Sequence, residues 1–370
     1  MGRMSLIPVS TAPAEVLADV FARHGAAAFR AAQLRRAVWQ PFVETMDDVH
    51  QLPAPLREKL SGDLQFSTLT IAGETEADGG CTVKLLCRLD DKQTVEAVAM
   101  ETSARSGSRR RATVCVSTQV GCAVGCPFCA TGRMGLLRSC TPAEVVDQVR
   151  AGAAALHRRG LGPVTHVVYM GMGEPLAAYD TTIASLRVLV ADGGISARRI
   201  TVSTSGVVPA IHRLAQEGIA STLAISLHAS TDELRDRLVP LNRVHPLESL
   251  VEAGMGYSRQ TGRRLTFEWC LIGGVNDSVE QARGLRELAA RAHAHVNVIP
   301  MNHIDDSPWG PPGRRRERAF LDQLGGVVVT VRDTRGSDGE AACGQLRAAL
   351  EQRRSLRPDG TLSPPRRVAV

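Results

Sequence analysis

RATVCVSTQVGCAVGCPFCATG, residues 111–132, begins as a run of β-branched and apolar residues and ends in a loop where Cys122, Cys126 and Cys129 are spaced CxxxCxxC. The first half reads as a buried strand and the second as a loop leaving its C-terminal end. Three thiolates this close can bind three irons of a [4Fe–4S] cube and leave the fourth iron without a protein ligand. That open iron suits chemistry as well as electron transfer. Zinc prefers four protein ligands, or three that include His, and no His stands near the loop. A disulfide reading is weaker still, because three cysteines cannot all pair.

Outward from this stretch, strand and helix alternate. THVVYMG, RITVSTSG, TLAISLHA, LTFEWCLI, HVNVIP and VVVTVRD read as further strands. TPAEVVDQVRAGAAALHRR and VEQARGLRELAARAHA read as helices between them. Thr141, with Pro142 at the first helical position and Glu144 three residues on from the threonine, forms a capping-box signature. Repeated βα units imply parallel strands joined by right-handed crossovers. The fold class is therefore α/β, a partial (β/α)6 barrel over residues 109–351, with its chemistry at the C-terminal strand ends. Residues 1–62 read as a small helical domain with Arg30, Arg35 and Arg36 on its polar side. Residues 63–108 read as a β-rich connector ending in the basic linker SARSGSRR, and residues 352–370, rich in Arg and Pro, as a mobile tail.

With 370 residues, 44% hydrophobic and 22% charged, the chain can bury a substantial core. No apolar run reaches membrane-spanning length and MGRMSLIPVS lacks a signal-peptide core, so no membrane partner is expected. Nine cysteines without a secretory signal indicate reduced thiols in a cytoplasm. The net charge of +6 suggests a polyanionic partner. Arg109–Arg111, the group Arg314, Arg315, Arg316 and Arg318, and the tail arginines from Arg353 to Arg367 point the same way. Taken singly, each is an ordinary solvated surface; together they favour RNA.

Other polar motifs also fall at strand ends. Gly171-Met172-Gly173-Glu174-Pro175 follows THVVYM, where a glycine turn lets backbone approach a ligand and Glu174 can pair with an ammonium group. Alone it would be a plain βα turn. Ser203-Thr204-Ser205-Gly206 and Ser226-Leu227-His228 close two later strands, and Asn302 follows another. They can hydrogen-bond ribose or carboxylate, or equally cap helices. Cys115 in the first barrel strand and Cys343 in DGEAACGQL would, by themselves, be small core residues, as would Cys81, Cys87, Cys140 and Cys270.

Taken together, these segments resemble the radical S-adenosylmethionine (SAM) adenine methyltransferases of ribosomal RNA, the RlmN and Cfr relatives. The resemblance runs from FRAAQLRRAVW and LPAPLREKL through the cysteine loop, GMGEPL, ITVSTSGVVP, LAISLHA, GVNDS and VNVIPMN to RDTRGSDGEAACGQL, nearly the whole chain in order. It implies a radical-SAM barrel, one [4Fe–4S] cluster on Cys122, Cys126 and Cys129, and SAM held by Gly173, Glu174, Ser203, Ser226, Leu227, His228 and Asn302. It also implies that Cys343 becomes S-methylated, that Cys115 is its thiol partner, and that Glu101 in VEAVAMETS is the proton acceptor. The linker between Glu101 and Cys115 is longer and more basic than the family pattern.

The implied chemistry explains the residue types. The amidine carbon of adenine is electrophilic and cannot simply attack a SAM methyl group. Cys343 would take a methyl from one SAM, and a radical from a second SAM would remove a hydrogen from it. The resulting methylene radical adds to the ring, Glu101 removes the ring proton, and Cys115 releases the product by forming a disulfide with Cys343. GMGEPL, STSG and LAISLHA resemble the carbon 2 enzymes, with Cfr-like carbon 8 methylation as the alternative. The implied partners are 23S rRNA, with tRNA as a second substrate, and a low-potential donor such as flavodoxin or ferredoxin, for a monomer. Two rival readings are a radical-SAM enzyme on a small molecule or peptide, and a non-enzymatic iron–sulfur RNA-binding protein.

Overall fold

The computed structural model describes residues 6–102, 110–302, 304, 307–332 and 344–346. The expected tail at 352–370 and Cys343 lie outside the described residues. At the N-terminus β1 (Ile7–Pro8), α1 (Ala14–Arg23), α2 (Ala28–Ala37), α3 (Ala54–Leu60) and β2 (Leu64–Gln65) form one unit, closed by parallel pairing of β1 with β2. In α1, Leu17, Val20 and Phe21 recur at helical spacing and are buried. They share a separate small core with Leu34, Val49, Leu52 and Leu60. Of the arginines expected on the polar side of this unit, Arg35 is committed to Asp192 at 2.5 Å.

The rest is built on one ten-stranded sheet among the described residues. Its members in chain order are β3 (Leu69–Ala77), β4 (Thr82–Leu89), β5 (Thr94–Thr102) and β6 (Arg111–Cys115). A hairpin follows, with β7 (Gln119–Gly121), α4 (Ala130–Met134) and β8 (Leu136–Ser139). Then come α5 (Pro142–Arg158), β9 (His166–Tyr169), α6 (Tyr179–Ala191), β10 (Ile200–Thr204), α7 (Val208–Gln216), β11 (Thr222–Ser226) and α8 (Asp232–Leu238). The chain continues through α9 (Leu247–Thr261), β12 (Thr266–Leu271), α10 (Val279–Arg291), β13 (His295–Pro300), α11 (Arg314–Asp322) and β14 (Val329–Val331).

From β6 through β9 to β14 every neighbour pairs in parallel, in chain order, as a partial barrel requires. β3, β4 and β5 add to the β6 edge as antiparallel strands. The residues read as a connector are thus continuous with the barrel sheet, and Val83, Leu85 and Val95 lie in the barrel's own core. The basic stretch 103–109, without a large apolar residue, had made them look separate.

The capping box at α5 is present in full. Thr141 Oγ1 accepts from Glu144 N at 3.2 Å, and Glu144 Oε2 accepts from Thr141 N at 2.7 Å. Glu144 also holds Arg138 of β8 in a two-pronged pair at 2.8 and 2.9 Å, so one residue starts the helix and anchors the hairpin below the cysteine loop.

Candidate active site

The cysteine loop leaves β7 and runs into α4. Cys122 N donates to Gly135 O at 3.0 Å and Cys129 N to Cys126 O at 3.1 Å, which folds the loop back on itself. A Cβ at Gly132 would lie 2.6 Å from Cys126 O and 2.8 Å from Cys126 N, so only glycine lets α4 pass this close. The far end of the chain braces the same helix. Ala130 N donates to Gly344 O at 2.9 Å, and Thr131 Oγ1 donates to Leu346 O at 2.5 Å.

The donor set fits an iron–sulfur cluster. Burial pushes the Cys122 thiol up to about 12, and the nearby Cys129 thiol and Glu174 carboxylate act in the same sense. Burial, then the Cys122 and Cys129 thiols, hold Cys126 well above its ordinary range. Such thiols stay protonated in water-poor surroundings, whereas a metal bond replaces the proton and takes each as thiolate. Thiols such as Cys122 and Cys126, on one loop with Cys129, are thus matched to a cationic iron–sulfur core.

Beside the loop the strand ends line an open cavity. Gly173, Glu174, Ser203, Ser226, His228 and Asn302 all line it, together with Phe128, Cys129 and Gly344. Leu227 does not: its side chain is fully buried in the core, and its backbone N–H donates to Glu268 O at 3.0 Å. Gly173, at φ +102°, packs where a Cβ would meet Gln119 at 2.6 Å. Gln119 Oε1 accepts from Glu174 N at 2.9 Å and so fixes the turn. Glu174 itself accepts from Leu176 N at 3.0 Å and Ser205 N at 2.7 Å, while burial raises its pKa.

His228 adopts φ +60°, a left-handed conformation rare for a side-chain-bearing residue. Burial, then the Arg235 charge, pushes its imidazole down to about 3, so it is neutral. Its Nδ1 accepts from Cys270 N at 2.9 Å, which leaves the proton on Nε2 as a donor. The Phe128 ring meets the imidazole edge-on, 4.9 Å between centroids, and ties the cysteine loop to the end of β11.

Cys115 is buried at the end of β6, opposite Val98 of β5 and Val168 of β9. Met170, two residues past Val168 and on the same side, lines the cavity. Glu101 does not join this group. It pairs with Ala112 at the opposite end of β6, an odd number of residues from Val98 and so on the outer face. There its Oε2 accepts from Gly162 N at 2.6 Å, and Arg110 lies 3.8 Å away. Glu96, two residues from Val98 in the other direction, shares the face of Cys115 and is 2% exposed. It lies 3.4 Å from Lys84 Nζ, and its backbone carbonyl accepts from Ser117 Oγ at 2.5 Å just beyond Cys115. The proton-acceptor expectation at Glu101 is thus corrected by strand register. Period-2 counting back from Cys115 would have needed the β5–β6 pairing, which a linker of unknown span conceals.

Two further polar residues escaped the sequence reading. Glu268 lines the cavity from β12, accepts from Asn297 Nδ2 at 2.8 Å, and has its pKa raised by burial. Arg235 is wholly buried behind the rim.

A partial barrel of parallel strands, with a CxxxCxxC loop and a polar cavity at the strand ends, is the architecture of a radical-SAM enzyme. A model of the radical SAM superfamily matches residues 116–284. The chain is 46% identical over 341 residues to the probable dual-specificity RNA methyltransferase RlmN of Parafrankia sp. (strain EAN1pec), covering 88% of this chain and 87% of that one. It is 43% identical over 341 residues to the protein of the same name from Moorella thermoacetica, covering 91% and 96%. The crystal structure of a radical SAM methyltransferase from Sphaerobacter thermophilus superposes with a TM-score of 0.86 at 43% identity, covering 92% of this chain and 99% of that one. The chain belongs to the RlmN family of radical-SAM RNA methyltransferases. Among the described residues no helix is long and apolar enough to cross a membrane.

Proposed function

We propose that this chain methylates carbon 2 of an adenine in 23S rRNA, and in tRNA, with SAM as both methyl donor and radical source. The observation that carries the reading is the meeting of the three-cysteine loop, the polar strand ends and Gly344 at one cavity, in a chain of the RlmN family. When bound, the [4Fe–4S] cluster and SAM supply an electron, a methyl group and a hydrogen-abstracting radical. Cys122, Cys126 and Cys129 hold the cluster. Glu174, on the turn made by Gly173, receives the SAM ammonium, and Ser203, Ser226, the Leu227 backbone, His228 and Asn302 hold its remaining polar groups.

Cys343 carries the methyl group to the ring and stays bonded to it as a thioether; its chain neighbour Gly344 at the cavity supports this role. Glu96, on the face of Cys115, takes the ring proton, and the odd electron left by radical addition would return to the oxidised cluster, which leaves a closed-shell thioether. The Cys115 thiolate then attacks the Cys343 sulfur. An S–S bond forms, the C–S bond breaks, and its electron pair on the former thioether carbon takes up a proton to complete the methyl group. The carbon 2 choice rests on GMGEPL, STSG and LAISLHA and on relatives that carry the RlmN name. The chain acts as a monomer in the cytoplasm, reduced by a flavodoxin or ferredoxin. Residues 1–62 contact RNA, residues 63–108 connect and bring Glu96 to the site, and residues 109–351 carry the rest of the chemistry.

The test is to incubate anaerobically reconstituted protein with protein-free rRNA, SAM and a reductant, and to locate the methyl group by nucleoside mass spectrometry. 2-Methyladenosine is the expected product. 8-Methyladenosine, or unmodified adenine beside an intact cluster, would overturn the assignment.

A further inference from the structure

Arg235 lies on α8, outside every motif considered above, and its side chain has no exposure to solvent. Burying a guanidinium costs several kcal/mol unless its donors are satisfied. Here they are, almost entirely by backbone. Nε donates to Leu227 O at 3.0 Å, and Nη2 donates to Ser205 O at 2.7 Å and Ser226 O at 3.0 Å. Nη1 donates to Asn242 Oδ1 at 2.9 Å. The three carbonyls belong to the ends of β10 and β11, the two strands that present Ser203, Ser226 and His228 to the cavity.

Among the described residues no carboxylate touches the guanidinium. The nearest acids reach it through Asn242, whose Nδ2 donates to Asp232 Oδ1 at 2.9 Å and Asp236 Oδ1 at 2.7 Å. Although burial pulls its pKa down to about 10, Arg235 remains charged at neutral pH. Two of the carbonyls it holds belong to Ser226 and Leu227, and the next residue, His228, packs against Phe128 of the cysteine loop at 4.9 Å. Ser205 joins the two systems, since its N–H donates to Glu174 while its carbonyl accepts from Arg235. A positive charge held dry without a contacting counter-ion acts most strongly on negative charge arriving nearby. Electron uptake at a thiolate-bound cluster and the carboxylate of SAM both bring such charge.

We propose that Arg235 is a positioning residue of the cofactor site, which fixes the ends of β10 and β11 for SAM and supplies the buried positive charge that favours reduction at the three-cysteine centre. The inference rests on the cofactor assignment under Proposed function. It needs two variants, Arg235→Gln and Arg235→Lys, compared with wild type as anaerobically reconstituted full chains of matched iron content. Both variants lose the planar three-carbonyl fork, and only the glutamine loses the charge.

The readouts are the cluster midpoint potential, from a redox titration followed by electron paramagnetic resonance, and the SAM dissociation constant by calorimetry. SAM should bind about tenfold more weakly to both variants, the range expected when an outer-shell partner is lost. The potential should be more negative in R235Q than in R235K. Wild-type SAM affinity in both variants, or equal potentials in the two, overturns the proposal. If R235Q cannot hold the cluster, R235K alone decides: wild-type SAM affinity there refutes the positioning role. A wild-type protein that takes up neither cluster nor SAM would instead sink the cofactor assignment, and this inference with it.

Discussion

Glutamine at Glu96 and glutamine at Glu101 should have opposite consequences. At Glu101, glutamine retains an oxygen for Gly162 N–H, and the pair with Arg110 is long, at 3.8 Å, to a guanidinium that is 72% exposed. Its loss is worth under about 1 kcal/mol. E101Q should therefore keep turnover within about threefold of wild type, as expected for a surface pair remote from the chemistry. At Glu96 the partner Lys84 is only 11% exposed, and the carboxylate 3%. Removing the charge opposite a buried ammonium costs up to about 3–5 kcal/mol. Removing a general base costs about 10²- to 10⁴-fold in rate, equivalent to roughly 3–5 kcal/mol of barrier. Single-turnover methylation of an rRNA fragment, at matched iron content and well below each melting temperature, separates the chemical loss from the stability loss. E96Q should be slower by at least about 100-fold, the lower end for a lost base. An E101Q protein without turnover, or an E96Q protein with wild-type rate, would refute the register argument.

Gly132→Ala should lower both iron content and melting temperature, because its Cβ would sit 2.6 Å from Cys126 O; the overpacking cost is about 1–3 kcal/mol. Wild-type iron stoichiometry would contradict it. Burial, reinforced by Arg111 and Arg199, pulls His166 from 6.5 down to about 4. The folded value lies below the unfolded one, so the stability this residue contributes is full above about 6.5 and lost as pH falls toward 4. His166→Gln should flatten the drop in melting temperature between neutral pH and pH about 5, and an unchanged drop would exclude the residue as its source. Cys115→Ala should accumulate RNA covalently bound to protein during turnover, visible as a shifted band on denaturing gels; free methylated RNA at the normal rate would remove Cys115 from product release.

What could be read from the chain was whatever local sequence determines. The cysteine spacing, the strand runs that end in GMGE, STSG and SLH, and the Thr141–Glu144 box all depend on residues within a few positions of each other. What could not be read depends on register and on which face a side chain takes. Glu96 and Glu101 stand five apart in one strand, so they must face opposite sides, yet only the pairing of Val98 with Cys115 decides which faces inward. Arg235 looks like one charge among many in DELRDRL until α8 folds back over the ends of β10 and β11. The connector strands looked separate because a basic segment interrupts the apolar pattern, whereas sheet pairing ignores the interruption.

The brace between α4 and the chain's far end has a consequence for how the protein is made. Thr131 is tied to a residue 215 positions downstream. During synthesis the three cysteines emerge well before their support exists, and for that interval the loop is a set of reactive thiols on an unbraced turn. A ribosome that stops short of Leu346 yields a barrel whose iron loop is never clamped. Bracing of the cysteine loop thus waits until the chain has been made through Leu346.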